Sequence, residues 1–363
     1  MKESSNQTKD IAHEAIYDVR QLGLPKTLLL GLQHTFAMFG ATVLVPILTG
    51  LSVSTTLLMA GLGTLLFHLL TKGKVPAFLG SSFAFLGGYA IVAPVNSEGV
   101  ADPTQLAYAC GGVVIAGLLY LVVAALIKVF GAKKVMRYFP PVVTGPIIIA
   151  VGLILAPSAI NNCKTNWLLA FVALVIIIIC NIWGKGMIKI IPIMLGIIGA
   201  YIVAIFMGEI DFKAVNDAAW IGLPLKSSSF AKFDFNAIVT IVPIALATMM
   251  EHIGDISAIG ATTGKNYIAD PGLHRTLLGD GLATSLSALF GGPANTTYGE
   301  NTGVLALSKV YDPVVMRIAA CIAVLLSFSP KFAAIVETIP YAIIGGVSLI
   351  LYGMIICERT ILS

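Results

Sequence analysis

GGPANTTYGENTGV, running from Gly291 to Val304, decides how this chain is read, and PAFLGSSFAFLGG, from Pro76 to Gly88, is its counterpart. Each stretch is too short and too rich in Gly, Ser, Thr and Pro to be an ordinary spanning helix, yet each lies between long apolar segments. Paired interruptions at corresponding places of two halves mark the midplane binding site of a transporter. Spacing supports the pairing. Gln33-His34 precedes Phe83 by 50 residues, and Glu251-His252 precedes Glu300 by 49, so a polar pair followed by a broken segment occurs twice.

The 363 residues are 57% apolar and only 11% charged, with a mean hydropathy of +0.93. Soluble domains carry about 25% charge, so the chain is read as an all-α polytopic membrane protein. Apolar runs long enough to cross a bilayer core lie near 27–49, 55–71, 105–128, 138–157, 166–183, 188–208, 236–261, 276–291, 313–330 and 340–357, with the two broken segments between them. The polar N-terminus shows no signal-peptide pattern, so the first span is expected to target the membrane. Cys110, Cys163, Cys180, Cys321 and Cys357 are scattered without CxxC spacing and suggest neither a disulfide framework nor a metal site.

A cytoplasmic N-terminus with alternating spans leaves all but five of the 22 basic residues inside, the five being Lys164, Lys213, Lys226, Lys232 and Lys331. This asymmetry is the positive-inside pattern, and it requires each broken segment to count as one crossing. The net charge of +4 therefore reports topology and gives no reason to invoke nucleic acid. A first unit of seven crossings spans Leu24 to Gly208, followed by an outside connector over 209–235. Because seven is odd, the second unit enters from the opposite side, which makes an inverted repeat. Only five crossings fit between Asn236 and Ser363, so about twelve spans of a seven-plus-seven fold are expected, the last two being absent.

Glu251 and Glu300 are the only carboxylates clearly inside apolar segments and away from their ends on this reading. Charges at membrane depth are costly, face cavities and mark function. Burial and mutual repulsion both favour the protonated form of a carboxyl, so this pair is expected to hold a proton, with Asp255, one helical turn beyond Glu251, sharing or relaying it. Helix breaks at Ser81, Ser82 and Phe83 and at Tyr298 and Gly299 offer backbone groups that need partners. Carboxylates beside backbone donors match the alternating edge of an imide ring, as in an oxopyrimidine or oxopurine. Phe83 and Tyr298 are candidates to stack on that ring. Gln33 and His34 are candidates for a scaffold behind it, whereas His252 points off the Glu251 face and is given a structural role.

Competing classes are weaker. No phosphate-binding loop of the G-x-x-x-x-G-K-[ST] type exists, which leaves ATP-driven transport unsupported. A metalloenzyme built on His34, His252, Glu251 and Asp255 lacks H-E-x-x-H and good ligand clustering. An anion exchanger of similar architecture would place basic or neutral groups where two acids stand.

The strings LQHTFAMFGATVLVPILTG (Leu32–Gly50), KGKVPAFLGSSFAF (Lys72–Phe85), DPGLHR (Asp270–Arg275) and NTTYGENTGVLALSKV (Asn295–Val310), together with the Glu251-His252 helix, resemble the nucleobase-ascorbate transporter family, in particular its uracil permease group. The last string holds the family signature, here Glu300-Asn301-Thr302-Gly303 and Ser308-Lys309. The resemblance implies a core domain over 24–130 and 236–330, a gate domain over 131–208 and 331–363, and a homodimer formed through the gate. It implies that the chain is not an enzyme and uses no cofactor beyond a coupling proton. It also implies proton symport of uracil across the bacterial inner membrane by elevator-like alternating access, with a xanthine or urate permease as the alternative. Family binding positions fall on Glu251 and Glu300 and on the backbone of Phe83 and Gly299, with Tyr298 packing nearby, and Ser82 joins the candidate substrate-binding residues from its helix break. Asp255 stands where the group carries His, and Asn301 belongs to the scaffold.

Overall fold

A computed structural model describes residues 15–96, 100–136, 153 and 155–360. Most of the span expected over 138–157, and the start of the N-terminal tail, lie outside these residues. What is described is mostly helical, as the sequence requires. The principal helices are α1 (Leu24–Thr49), α2 (Val53–Leu70), α3 (Leu86–Val92), α4 (Pro103–Phe130), α5 (Trp167–Trp183), α6 (Pro192–Phe206), α7 (Ile244–Thr263), α8 (Leu273–Leu289), α9 (Gly299–Ser308), α10 (Val314–Ser327) and α11 (Tyr341–Thr360). Among the described residues, α1, α2, α4 and the 29-residue stretch Phe235–Thr263 that ends in α7 are each long and apolar enough to cross a membrane. Local chemistry sets their ends. Asp102 accepts hydrogen bonds from the Thr104 and Gln105 amides ahead of Pro103 to start α4, and Asn166 caps α5 in the same way. Helix α1 stops at Gly50, whose left-handed backbone (φ 80°) returns its N–H to the Pro46 carbonyl.

The two broken segments meet. Strand β1 (Leu79–Ser81) pairs antiparallel with β2 (Asn295–Thr297), Leu79 opposite Thr297 and Ser81 opposite Asn295, and each strand leads into a short helix, α3 or α9. Antiparallel union of equivalent strand–helix units from the two halves is the inverted repeat in its simplest form. A two-stranded sheet at membrane depth has edges that water cannot satisfy, so the protein must. Thr64 of α2 accepts from the Leu79 amide and donates to the Leu79 carbonyl, Thr284 of α8 donates to the Asn295 carbonyl, and Ser287 donates to the Pro293 carbonyl. The Asn295 side chain donates to the Met59 carbonyl, and the His68 ring meets the Ala77 carbonyl at 2.9 Å. The polar residues that interrupt these apolar helices are thus the sheet's solvent.

The connecting segments meet in two groups. In one, Lys74 pairs with Asp270, Arg275 donates to the Leu70 carbonyl, and Ile16 bridges to Val310. Tyr17 there donates to the Thr263 carbonyl beneath Lys265. In the other, the Gly222 amide bonds the Phe328 carbonyl and Lys331 stacks on Trp220. Apolar packing falls into three clusters. One gathers α1, α2, α10 and the strands, a second gathers α3, α4, α7 and α8, and a third gathers α5, α6 and α11.

Helices α4 and α8 approach closely through small residues, the arrangement that membrane helices favour. A Cβ on Gly281 would collide with Tyr120 Cβ and lie 2.7 Å from the Gly117 carbonyl oxygen. Gly281→Val is expected to force the pair apart and cost about 1–3 kcal/mol, read as a lower unfolding midpoint of the purified protein in detergent.

Candidate functional site

The site is assembled at the junction of the two strands with α7, α9 and α1. Glu251, His252 and Asp255 come from one stretch of α7, one helical turn separating the two acids. Glu300 and Asn301 come from the first turn of α9, which begins right after β2 and has no side-chain cap, as is also true of α3. Uncapped helix starts leave amide N–H groups directed along the axis and favour a polar, electron-rich partner. Glu251, Asp255, Glu300 and Phe83 are half-buried, and Gly254 and Gly299 are exposed. The Asp255 carboxyl lies within electrostatic reach of Glu251, of Glu300 and of Asp280. A Cβ built on Gly299 would stand 3.9 Å from Asp255 Oδ1, which places the Asp255 carboxyl against the mouth of α9.

Other residues singled out from the sequence fall in different places. Ser81 and Ser82 spend backbone groups on the fold, because the Ser81 carbonyl accepts from the Tyr298 hydroxyl at 2.8 Å and the Ser82 amide donates to the Ala294 carbonyl at 2.9 Å. The Tyr298 amide is likewise taken, by the Phe78 carbonyl. What remains on Ser82 is its hydroxyl, which is buried and makes no hydrogen bond among the described residues. Tyr298 is buried, and its hydroxyl also accepts from Thr42, so its ring ties α1 to both strands and is not open for stacking. Phe83 alone keeps a partly open ring. His34 is fully buried on α1 facing Asn301 of α9, while Gln33 beside it is half-buried.

Sequence reasoning missed Asp280. An apolar run that begins at 276 leaves Asp280 near its end, and Glu251 and Glu300 as the only deep carboxylates. Helix α8 in fact starts at Leu273, two turns before Asp280, and the Asp280 side chain is fully buried. Its partner is His252, Nδ1 to Oδ2 3.1 Å, which gives the structural role assigned to that histidine a definite content. An acid flanked by two glycines within an apolar stretch was the available signal. Among the described residues no cluster of three or more His, Cys, Asp or Glu has metal-binding geometry.

A cavity of about 200 Å³ opens elsewhere, between the end of α1, α3 and α11, lined by Thr49, Leu86, Tyr89, Ala93, Leu155 and Tyr352 and by none of the acids.

A family model described as the permease family, Xan_ur_permease, matches residues 25–358. A probable uracil permease of Haemophilus influenzae is 43% identical over 334 residues, covering 90% of this chain and 78% of its own length. The uracil permease of Bacillus caldolyticus is 43% identical over 339 residues, with 90% and 77% covered. Among solved structures, the transmembrane domain of a cyanobacterial bicarbonate transporter, BicA, superposes with a TM-score of 0.71 at 18% identity, covering 96% of this chain and 92% of that one. The structure of SLC26A9 gives 0.67 at 12% identity, covering 94% and 59%. These likenesses show a shared inverted-repeat fold.

Proposed function

The chain belongs to that permease family, the nucleobase-ascorbate transporters, and from this premise we propose that it imports uracil together with protons across a bacterial inner membrane. The observation that supports the reading is that Glu251 and Glu300 both lie within electrostatic reach of Asp255, with Glu300 in the first turn of the uncapped helix α9. Uracil presents N–H groups between C=O groups. Carboxylates at Glu251 and Glu300 are suited to accept from the N–H groups, and amides at the starts of α3 and α9, with the Ser82 hydroxyl, are suited to meet the C=O groups. The names of the relatives support the same base. The solved neighbours described as bicarbonate or anion transporters lend the fold and nothing of their substrate, since facing acids repel an anion.

Proton coupling follows from charge. Three carboxyls that interact at membrane depth cannot all ionise cheaply, so a base that brings N–H groups to Glu251 favours one arrangement of protons and its release another. We read 24–130 and 236–330 as the core that carries the site and 131–208 with 331–363 as the gate, whose helices α5, α6 and α11 pack together and against Leu44, Val45 and Leu86 of α1 and α3. Movement of the core against the gate would expose the site to each side in turn, with the N-terminus cytoplasmic and two gates joined in a homodimer.

Purified protein in proteoliposomes tests the reading. Radiolabelled uracil is expected to accumulate when an inward proton gradient is imposed and to equilibrate only when the gradient is collapsed. Saturable uptake of equal extent in both conditions would remove the coupling, and absence of uracil uptake would remove the substrate.

A further inference from the structure

Asp280 and His252 take no part in the proposed substrate site, yet they form a fully buried acid–base pair. The contacts continue from them in one direction. His252 Nδ1 is 3.1 Å from Asp280 Oδ2 and 3.4 Å from Thr297 Oγ1, and the Thr297 hydroxyl donates to Asp255 Oδ2 at 2.8 Å. The Thr297 hydrogen is committed to Asp255, so Thr297 Oγ1 accepts from the histidine, which must carry its hydrogen on Nδ1. The Asp280 carboxyl, with Oδ2 3.1 Å from Nδ1 but outside hydrogen-bond geometry, favours the tautomer that carries its hydrogen on that nitrogen.

We propose that His252 and Thr297, with the Asp280 carboxyl of α8 fixing the histidine's tautomer, form a directional hydrogen-bond relay from α7 to β2 that holds Asp255 as an acceptor and so sets the pH at which the transporter takes up its coupling proton. Asp280 and His252 are positioning residues here and never touch the base. The surroundings leave them no competing partner of opposite charge among the described residues. The Phe67 ring packs edge-on to His252, and Tyr120 of α4 feels the charges of Asp280 and Glu251. Asp255, the group the relay holds, is faced by Glu251 from its own helix, by Glu300 from α9 and by Asp280 from α8, all acids. A relay of this kind amplifies single changes, because polar networks in a low dielectric act as units.

This inference rests on the proton-coupled reading above, and its test separates the two. The pH dependence of uracil uptake into proteoliposomes is measured for wild type, Thr297→Val, Asp280→Asn, His252→Gln and the double variant Thr297→Val/Asp280→Asn. Removing the donor to Asp255 makes its proton harder to lose, so the alkaline limb of the profile is expected to move up by about one pH unit in each single variant. The double variant is expected to move no further than Thr297→Val alone, since both changes cut the same relay. A pH-dependent wild type with an unmoved Thr297→Val profile overturns the relay, as does a double variant whose shift is the sum of the two. A wild type whose uptake ignores pH overturns the coupled-transport reading instead. Thr297→Val, which barely changes shape, decides the matter even where Asp280→Asn fails to fold.

Discussion

Glu251→Gln is expected to abolish concentrative uracil uptake while leaving a folded, membrane-inserted protein. The side chain is half-buried on α7, one turn from Asp255 and within electrostatic reach of it. Glutamine keeps the shape but replaces a charged acceptor with an amide that presents its own N–H to the N–H of the base. A hydrogen bond to a charged group is worth about 1.5–3 kcal/mol, which corresponds to a loss of affinity of roughly 10- to 150-fold. Removal of a titratable group from the acid cluster adds a second loss, in coupling. Uptake driven by a proton gradient therefore falls further than equilibrium binding does, and both can be read on the same preparation, by radiolabel accumulation and by uracil-dependent thermal stabilisation. Undiminished accumulation would show that Glu251 lies off the transport path.

Glu300→Gln has the second largest expected effect, and it is an effect on selectivity. Glu300 stands in the first turn of α9, where the helix start presents N–H groups and the acid adds a charged acceptor beside the Asp255 carboxyl. An amide there offers a donor and an acceptor together, a pattern that an oxopurine edge can use and a uracil edge cannot use fully. Uracil affinity is expected to drop about tenfold or more, and xanthine is expected to become a competitor of labelled uracil uptake. Competition by uracil and xanthine identical to that of wild type would assign the base to other residues and would reopen the reading of this scaffold as a xanthine or urate carrier.

Much of the fold was legible because membrane solvation punishes exceptions. The interrupted strings at Pro76–Gly88 and Gly291–Val304 could not be spanning helices, and their antiparallel pairing as β1 and β2 follows from the inverted order of the two halves. Of the basic residues whose side the sequence reading assigns, Lys74 meets Asp270 and Arg275 meets the Leu70 carbonyl. The site was legible in its acids and less so in its backbone. Nothing in the spelling of SSF or TYG indicates that strand pairing consumes the Ser82 and Tyr298 amides, or that the Tyr298 hydroxyl is locked onto the Ser81 carbonyl, because these are long-range partners chosen by packing. Asp280 escaped for a simpler reason. Apolar run lengths set helix starts only to within a turn, and one extra turn moved this acid from an expected helix end to full burial against His252.

The most direct measurement is the position of the base itself. Crystals of the protein grown with 5-bromouracil, examined by anomalous scattering at the bromine edge, report where the ring sits without assumption about its contacts. One dominant bromine peak is predicted between the starts of α3 and α9, with the ring's polar edge in hydrogen-bond reach of both Glu251 and Glu300. A peak in the cavity beside Tyr89 and Tyr352, or a base held by neither carboxylate, would contradict the account.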